Sequence, residues 1–283
     1  MLLALETAQR LHSPGVQGKG LDKRALGTTY QSLRQTPQER ILEFQTPRPH
    51  HIPSEAPVIR PLLLFIGFLL FPAALQAAPG RDWSRTVTTT PQGAFVVGNP
   101  GAKTRLVEYV SYTCSHCAQF VAEATQPLKS GWVTRGVIAI EVRNLVRDPY
   151  DLTAALLARC GGAARFTGDH EAIFAAFPRW IREVQTYDRA TQQPPEGQNE
   201  TETLIDIADK TGLIALMVER GIPAMKSKTC LSNTKALETV MAMTKRAVEQ
   251  DKVTGTPSFL LNGMLTAAHD WASLRPLLPA PRN

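Results

Sequence analysis

The sequence predicts an α/β fold that carries an inserted all-helical domain. Two runs rich in β-branched and aromatic residues, at 105–112 and 136–145, flank a segment with helical spacing at 114–128. That helix is long enough to connect two parallel strands. From 148 to 250, Ala, Leu, Arg and Glu predominate and apolar residues recur at helical spacing. Strand character returns near the C-terminus, so the helical segment separates two halves of one sheet domain.

The C-terminal half is expected to form a hairpin followed by a short helix. Ser258–Leu261 is mostly apolar, and the Asn262-Gly263 pair that follows it is a strong hairpin signal. Asp270 is a suitable N-cap for a last helix. Within the helical segment, the polar and Pro-containing residues 185–202 predict a loop. We therefore divide this region into 78–147 (first half of the sheet domain), 148–250 (insertion) and 251–283 (second half).

The first 77 residues are predicted to lie outside the folded domain. Residues 61–75 form an apolar run between Arg60 and the small residues Ala77 and Ala78, which is the layout of a secretory signal peptide. We expect a signal peptide at 58–77 and export to the periplasm, with an uncleaved anchor as the alternative. Residues 1–57 lack sustained periodicity. They are expected to precede the true translation start at Val58, read from a GTG codon, or to form a disordered extension.

Composition and charge exclude several classes of protein. Hydrophobic residues make up 43% of the chain and charged residues 20%, which is the balance of a globular protein. A wholly disordered chain and a multi-span membrane protein are therefore not supported. The net charge of +6 comes from 31 basic and 25 acidic residues that are scattered along the chain. Because no basic run stands out, we expect no nucleic-acid partner.

The chemistry is predicted to centre on the motif Cys114-Ser115-His116-Cys117, which follows a strand and opens a helix. Backbone N–H groups and the dipole at a helix N-terminus stabilise an anion, and the thiolate is the reactive form of cysteine. His116, if protonated, adds a cation. The two-residue spacer lets Cys117 form a disulfide with Cys114. It also places Cys117 one turn deeper, so Cys114 is expected to be the exposed sulfur.

A redox pair competes with three other interpretations of this motif. A zinc site usually combines two close ligand pairs, whereas Cys160 and Cys230 are isolated from each other. A c-type haem motif requires His directly after the second cysteine, where this chain has Ala118. A purely structural disulfide remains open, although so short a loop is strained and reducible.

Two features elsewhere in the chain favour redox chemistry. Glu108 lies six residues before Cys114, on the same side of its apolar strand as Val110 and Tyr112. A carboxyl group there is costly without a partner or a task, so we expect it to accept the proton of Cys117, with an exposed glutamate at a sheet edge as the alternative. The Thr254-Gly255-Thr256-Pro257 segment precedes a strand, which makes its Thr–Pro bond a candidate cis peptide.

The CSHC motif after RLVEYVSYT, the helical insertion and the TGTPSFLLNG segment together resemble the DsbA-like branch of the thioredoxin superfamily over residues 93–277. The resemblance implies a thioredoxin fold with an inserted helical domain and thiol oxidation in the periplasm. It also implies a role for each matching residue: Cys114 as nucleophile, Cys117 as resolving thiol, Pro257 as a cis proline beside the active disulfide, Thr256 as a backbone contact for bound peptide, and Glu108 as the buried acid. Ser115 departs from the family, because DsbA typically has proline there, so the redox potential cannot be transferred.

We therefore expect a thiol:disulfide oxidoreductase that donates the Cys114–Cys117 disulfide to unfolded exported proteins. It would use no cofactor other than this disulfide and no metal, act as a monomer, and be reoxidised by a membrane-bound DsbB-like partner. A histidine within the motif favours an oxidase over a reductase, because thiolate stabilisation supplies most of the oxidising power. An isomerase would usually need a dimerisation domain. A reductase or isomerase of the same fold, or a non-catalytic module that binds metal or peptides, remain the alternatives.

Cys160 and Cys230 are expected to form a second, structural disulfide within the insertion. Both lie in helix-like segments of the same region, and unpaired thiols are a liability in an oxidising compartment. Two independent buried thiols are the alternative, because cysteine is a common core residue.

Overall fold

The computed structural model describes residues 81–191 and 199–281. The expectations for residues 1–57 and for the signal peptide at 58–77 fall outside this range. In the part of the chain described, a six-stranded mixed sheet is flanked by helices. No helix between residues 81 and 281, apart from the gap at 192–198, is long and apolar enough to cross a membrane.

The sheet brings the two halves of the chain together, with β3 as a central strand. Its strands are β1 (Val87–Thr89), β2 (Phe95–Gly98), β3 (Thr104–Val110), β4 (Ile138–Asn144), β5 (Ser258–Leu261) and β6 (Met264–Leu265), in the order β1-β2-β4-β3-β5-β6. The β3–β4 pair is parallel, and the remaining pairs are antiparallel. Because β3 pairs with β4 on one side and β5 on the other, the residues at its end face both halves of the chain.

The helices follow the predicted arrangement. They are α1 (Ser115–Leu128), α2 (Pro149–Ala158), α3 (Ala163–Ala175), α4 (Phe177–Thr191), α5 (Glu200–Lys210), α6 (Leu213–Glu219), α7 (Ala224–Leu231), α8 (Thr234–Glu249) and α9 (Trp271–Leu274). Helix α1 connects the parallel strands β3 and β4, and α2 to α8 lie between β4 and β5 in the sequence. The predicted α/β fold with a helical insertion is therefore confirmed.

The helices cover both faces of the sheet and the end that carries the CSHC motif. Side chains from α1 pack with Leu106, Ile138 and Phe259 on one face. Residues from α8 pack with Val107 and Tyr109 on the opposite face. The insertion shares one apolar core with both cysteines of the motif. Although α8 belongs to the predicted insertion by sequence, it therefore acts as a layer of the sheet domain.

Parts of one predicted loop are helical in the structure. Residues 185–202 were expected to form a loop, but α4 continues to Thr191 and α5 begins at Glu200. The polar residues of α4 lie on the outer side of a helix whose Trp180 and Val184 are buried, so a polar composition did not mark its end. Asn199 caps α5 through a reciprocal hydrogen-bond pair with Glu202.

Candidate redox site

Cys114 is the N-cap of α1, and Cys117 lies in the first turn of the same helix. The structure contains both as free thiols. Cys114 has an exposed fraction of 5%, and Cys117 of 0%. Cys114 is thus the more accessible sulfur, as expected, although it too is largely covered. Ser115 and His116, between them, are exposed to solvent.

The loop before β5 lies directly against the catalytic motif. The Thr256–Pro257 peptide bond is cis, and Pro257 is buried. The Cys114 thiol donates a hydrogen bond to the Thr256 carbonyl oxygen, with the sulfur and oxygen 3.2 Å apart. The structure therefore brings Cys114 to Thr256 and Pro257, although Cys114 lies 142 residues before Thr256 in sequence.

The surroundings of Cys114 lower its pKa to about 4. The largest cause is a hydrogen bond from the Cys117 thiol, and further stabilisation comes from the Thr256 side chain and the backbone N–H of Cys117. The positive charge of Arg147 adds to these, whereas burial opposes them. The contact with the Thr256 carbonyl favours the protonated thiol. The hydrogen bonds donated to the sulfur are more numerous and favour the thiolate. At neutral pH the Cys114 sulfur is therefore a thiolate.

The pKa of Cys117 is shifted in the opposite direction, upwards. Burial raises its pKa well above the usual value, and the hydrogen bond to Cys114 raises it further. A thiol held neutral next to a stabilised thiolate gives the two sulfurs different chemical roles. The two-residue offset along the helix produces this difference, because it places one sulfur at the helix start and the other inside the core.

Glu108 lies on the central strand β3, where it pairs with Val142 of β4 and Phe259 of β5. The alternative of an exposed glutamate at a sheet edge is therefore wrong. Its side chain is 5% exposed, one carboxyl oxygen has no hydrogen-bond partner in the part of the chain described, and burial raises its pKa to about 8. It lines a narrow cavity of about 70 Å³ between the sheet and α1. At pH 7 this carboxyl group is mostly protonated, and it contributes to the raised pKa of Cys117.

A model of the family described as thioredoxin matches residues 90–280. The chain belongs to the thioredoxin family. Among solved structures, DsbA proteins share its fold. The protein-disulfide isomerase of Novosphingobium aromaticivorans is 42% identical, with a TM-score of 0.61 over 64% of this chain and 93% of that structure. The α-DsbA1 of Wolbachia pipientis shares the fold at 17% identity, with a TM-score of 0.53 over 67% of this chain and 90% of that structure.

Curated relatives are named as protein-disulfide oxidoreductases. A Rickettsia felis protein named "Putative protein-disulfide oxidoreductase" is 31% identical over 181 residues, which are 64% of this chain and 57% of that protein. A Rickettsia prowazekii protein of the same description is 31% identical over 61% of this chain and 55% of its own length. The chain thus spans less than two thirds of the length of these relatives.

The segment that begins α2 holds this thioredoxin-family motif in place, which the sequence analysis did not predict. Asp151 is fully buried, and its carboxylate accepts hydrogen bonds from the backbone N–H of Tyr112 at 2.7 Å and of Arg147 at 3.1 Å. Asp148 accepts a hydrogen bond from the Thr113 hydroxyl at 2.8 Å. The start of α2 therefore fixes the loop that leads into Cys114. The Arg147-Asp148-Pro149 sequence, with an N-cap followed by proline, was a signal for this helix start.

Arg147 is a cation near Cys114 that the sequence analysis did not consider, since it named only His116. The His116 side chain is exposed, and it is absent from the main groups that lower the pKa of Cys114. Arg147 follows β4, and the parallel pairing of β3 and β4 brings it to the end of the sheet where Cys114 lies. The expected contribution of His116 stays a prediction.

A second buried contact links the insertion to the motif. The Tyr112 hydroxyl and His170 Nδ1 of α3 are 2.9 Å apart, and both side chains are buried. Burial lowers the pKa of His170 to about 4, so the imidazole is neutral at pH 7. This hydrogen bond therefore joins two neutral groups and holds Tyr112, which lies two residues before Cys114.

Cys160 and Cys230 are joined in a disulfide with a Cα–Cα distance of 5.5 Å. Cys160 lies just beyond the C-terminal end of α2, and Cys230 lies in α7. The disulfide therefore ties two helices of the insertion together. Within residues 81–191 and 199–281, no three His, Cys, Asp or Glu side chains are grouped as metal ligands would be.

Proposed function

We propose that the chain is a periplasmic thiol:disulfide oxidoreductase, whose Cys114–Cys117 disulfide is donated to exported proteins that are still folding. The observation that carries this proposal is the opposite shift of the two cysteine pKa values, to about 4 for Cys114 and well above the usual value for Cys117. A strongly stabilised thiolate makes the reduced form favourable, and a protein that prefers its reduced form oxidises its substrates.

The first step begins from the oxidised protein. A substrate thiolate attacks the Cys114 sulfur, the Cys114–Cys117 bond breaks, and a mixed disulfide forms between the substrate and Cys114. Cys117 leaves as a thiolate whose high pKa requires a proton. Glu108, protonated at pH 7 and buried behind the motif, is the proposed donor.

The second step releases the product. A second substrate thiolate attacks the substrate sulfur of the mixed disulfide, a substrate disulfide forms, and Cys114 leaves as a thiolate. A low pKa makes Cys114 a good leaving group. Two substrate thiols have then been oxidised and the Cys114–Cys117 pair has been reduced. A membrane-bound DsbB-like partner would reoxidise the pair.

The Thr256–Pro257 loop is the proposed binding site for the substrate backbone. Its carbonyl oxygen already accepts a hydrogen bond from Cys114, so an extended peptide that binds there would bring its own cysteine to this sulfur. Strand-like pairing of peptides with exposed backbone is a common mode of recognition with little dependence on sequence.

Oxidation of a reduced two-cysteine peptide tests the proposal. The oxidised protein is expected to convert the peptide to its disulfide stoichiometrically, and to do so catalytically with an added oxidant. Cys114→Ser is expected to abolish the reaction. In Cys117→Ser, the Cys114 thiolate is expected to attack the disulfide of the oxidised peptide, release one peptide thiolate and remain trapped as the mixed disulfide. Equal peptide oxidation by wild type and Cys114→Ser would refute it.

An isomerase is the second candidate function, because the 42% identical Novosphingobium structure is described as a protein-disulfide isomerase. Oxidase and isomerase activity can be distinguished by comparing scrambled with fully reduced ribonuclease as the substrate. An isomerase would restore activity to scrambled ribonuclease without net oxidation, whereas the proposed oxidase would act mainly on the fully reduced substrate.

A further inference from the structure

Arg147 is held beside the catalytic cysteine by two side-chain hydrogen bonds. Its Nε donates to the Ser111 hydroxyl at 2.9 Å, and its Nη2 donates to the Thr113 hydroxyl at 3.0 Å. Thr113 directly precedes Cys114, so both acceptors belong to the loop that delivers the sulfur. Its backbone is fixed as well, through the N–H that donates to buried Asp151.

The partners of this guanidinium fix its position without neutralising its charge. Both side-chain acceptors are hydroxyl groups, and in the part of the chain described no carboxylate lies within ion-pair distance of Arg147. Arg143, which lies on β4, differs, since it pairs with Glu141 and Asp251 at 2.7 Å. Asp148 is the carboxylate linked to Arg147, through the Thr113 hydroxyl rather than by direct contact. A cation in a fixed position with no direct carboxylate partner stabilises an anion that forms next to it.

We propose that Arg147 is the positioning residue of the redox site, which holds the loop before Cys114 and supplies the positive charge that favours its thiolate. This inference rests on the proposed function, because it concerns the sulfur that leaves in the second step. The titratable groups that face this loop are Asp148 and Asp151 at the start of α2, His170 of α3, Glu108 of β3 and Cys117 of α1, and His116 is exposed on α1.

The charge should act through space, so its effect should depend on salt. Arg147 is exposed whereas Cys114 is largely covered, so salt screens the interaction from the side of Arg147 as ionic strength rises, with a Debye length of about 10 Å at 0.1 M and about 3 Å at 1 M. A residue that acts only by holding the loop would give the same effect at both salt concentrations.

The test is a pH titration of thiolate absorbance in the reduced full chain, at low salt and at 1 M salt. We expect Arg147→Gln to raise the pKa of Cys114 by about 0.5–1 unit at low salt, and by less than half of that at 1 M salt. Arg147→Lys, which keeps the charge but loses the two-point attachment, should give a smaller rise. His116→Gln is the matched control, and its rise should be smaller than that of Arg147→Gln.

Three results would overturn the proposal. They are an unchanged pKa in Arg147→Gln, a rise that is equal at both salt concentrations, and a larger rise in His116→Gln. Thermal unfolding of each variant shows whether the fold is kept, and Arg147→Lys carries the test if Arg147→Gln does not fold. Because the titration needs no substrate, its outcome is independent of whether the chain oxidises peptides.

Discussion

At the scale of single residues, Cys114 and Glu108 are two acids whose pKa values are shifted in opposite directions. Cys114 has donors aimed at its sulfur, so its anion is favoured and its pKa lies near 4. Glu108 is buried on a central strand with one oxygen lacking a partner, so its neutral form is favoured and its pKa lies near 8. The site therefore pairs an acid that loses its proton readily with one that retains it.

Glu108 should make the folded protein less stable as the pH rises. Its carboxyl pKa is raised from 4.5 to about 8, so its contribution is fully present below pH 4.5 and is lost as the pH rises through 8. By pH 7 the loss is on the order of 3 kcal/mol. Glu108→Gln cannot ionise, so it should be more stable than wild type by roughly 2–3 kcal/mol at pH 7 and similar to it near pH 4.5. Urea unfolding of the reduced proteins between pH 5 and pH 8 measures this.

Glu141→Gln is the matched control for that experiment. Glu141 is also buried and lies on the neighbouring strand, but Arg143 donates a hydrogen bond to it at 2.7 Å. Glu141→Gln removes the negative charge that pairs with Arg143, so it should destabilise the protein at neutral pH rather than stabilise it. A Glu108→Gln variant that is no more stable than wild type at pH 7 would contradict a raised pKa at this position.

At the scale of secondary-structure elements, the insertion has its own covalent restraint. Helix α2 begins with the residues that fix the active loop and ends just before Cys160, which is bonded to Cys230 of α7. The disulfide closes a loop with a sequence separation of 70, for which the chain-entropy relation gives about 4 kcal/mol of stabilisation.

Removal of this disulfide should separate stability from redox chemistry. We expect Cys160→Ala/Cys230→Ala to lose about 4 kcal/mol of unfolding free energy and to keep its rate of peptide oxidation, because neither cysteine belongs to the CSHC motif. Denaturant unfolding and the peptide assay, on the same samples, measure both. Lost activity with unchanged stability would show that the disulfide takes part in turnover.

The elements that the sequence predicted well are those defined by local patterns. The β3–α1–β4 unit and the hairpin after Asn262-Gly263 follow from runs of apolar residues and from turn chemistry. The three-residue strand β1 was too short to show a pattern. The loop at 185–202 was predicted too long, because a helix with only one narrow apolar stripe has mostly polar residues.

The same distinction holds for the candidate site. Cys114, Cys117 and Glu108 could be proposed from one stretch of sequence, and Thr256–Pro257 from its turn and the resemblance. Arg147 and Asp151 could not, because they reach Cys114 only through the parallel pairing of β3 with β4. His170 comes from the insertion, and its contact with Tyr112 spans 58 residues. Local patterns identify the reacting groups, whereas the residues that tune them come from the tertiary fold.

At the scale of the whole molecule, the two halves of the sheet and the insertion meet at the redox site. The β3–α1 turn supplies the sulfurs, the loop before β5 supplies the contact at Thr256, and the start of α2 supplies Arg147 and Asp151. The Thr256 side chain and Arg147 stabilise the reduced protein because they lower the pKa of Cys114, whereas Asp151 holds the loop that carries this cysteine. Stability of the reduced form is the property that makes a dithiol protein an oxidant.

The equilibrium of the Cys114–Cys117 pair with glutathione buffers tests this most directly, because it gives the redox potential of the pair. A DsbA-type oxidant has a potential of about −120 mV, and a thioredoxin-type reductant has a potential of about −270 mV. We predict a value nearer to the former, since the pKa of Cys114 is lowered to about 4. A potential at or below about −270 mV would contradict thiolate stabilisation as the basis of an oxidase.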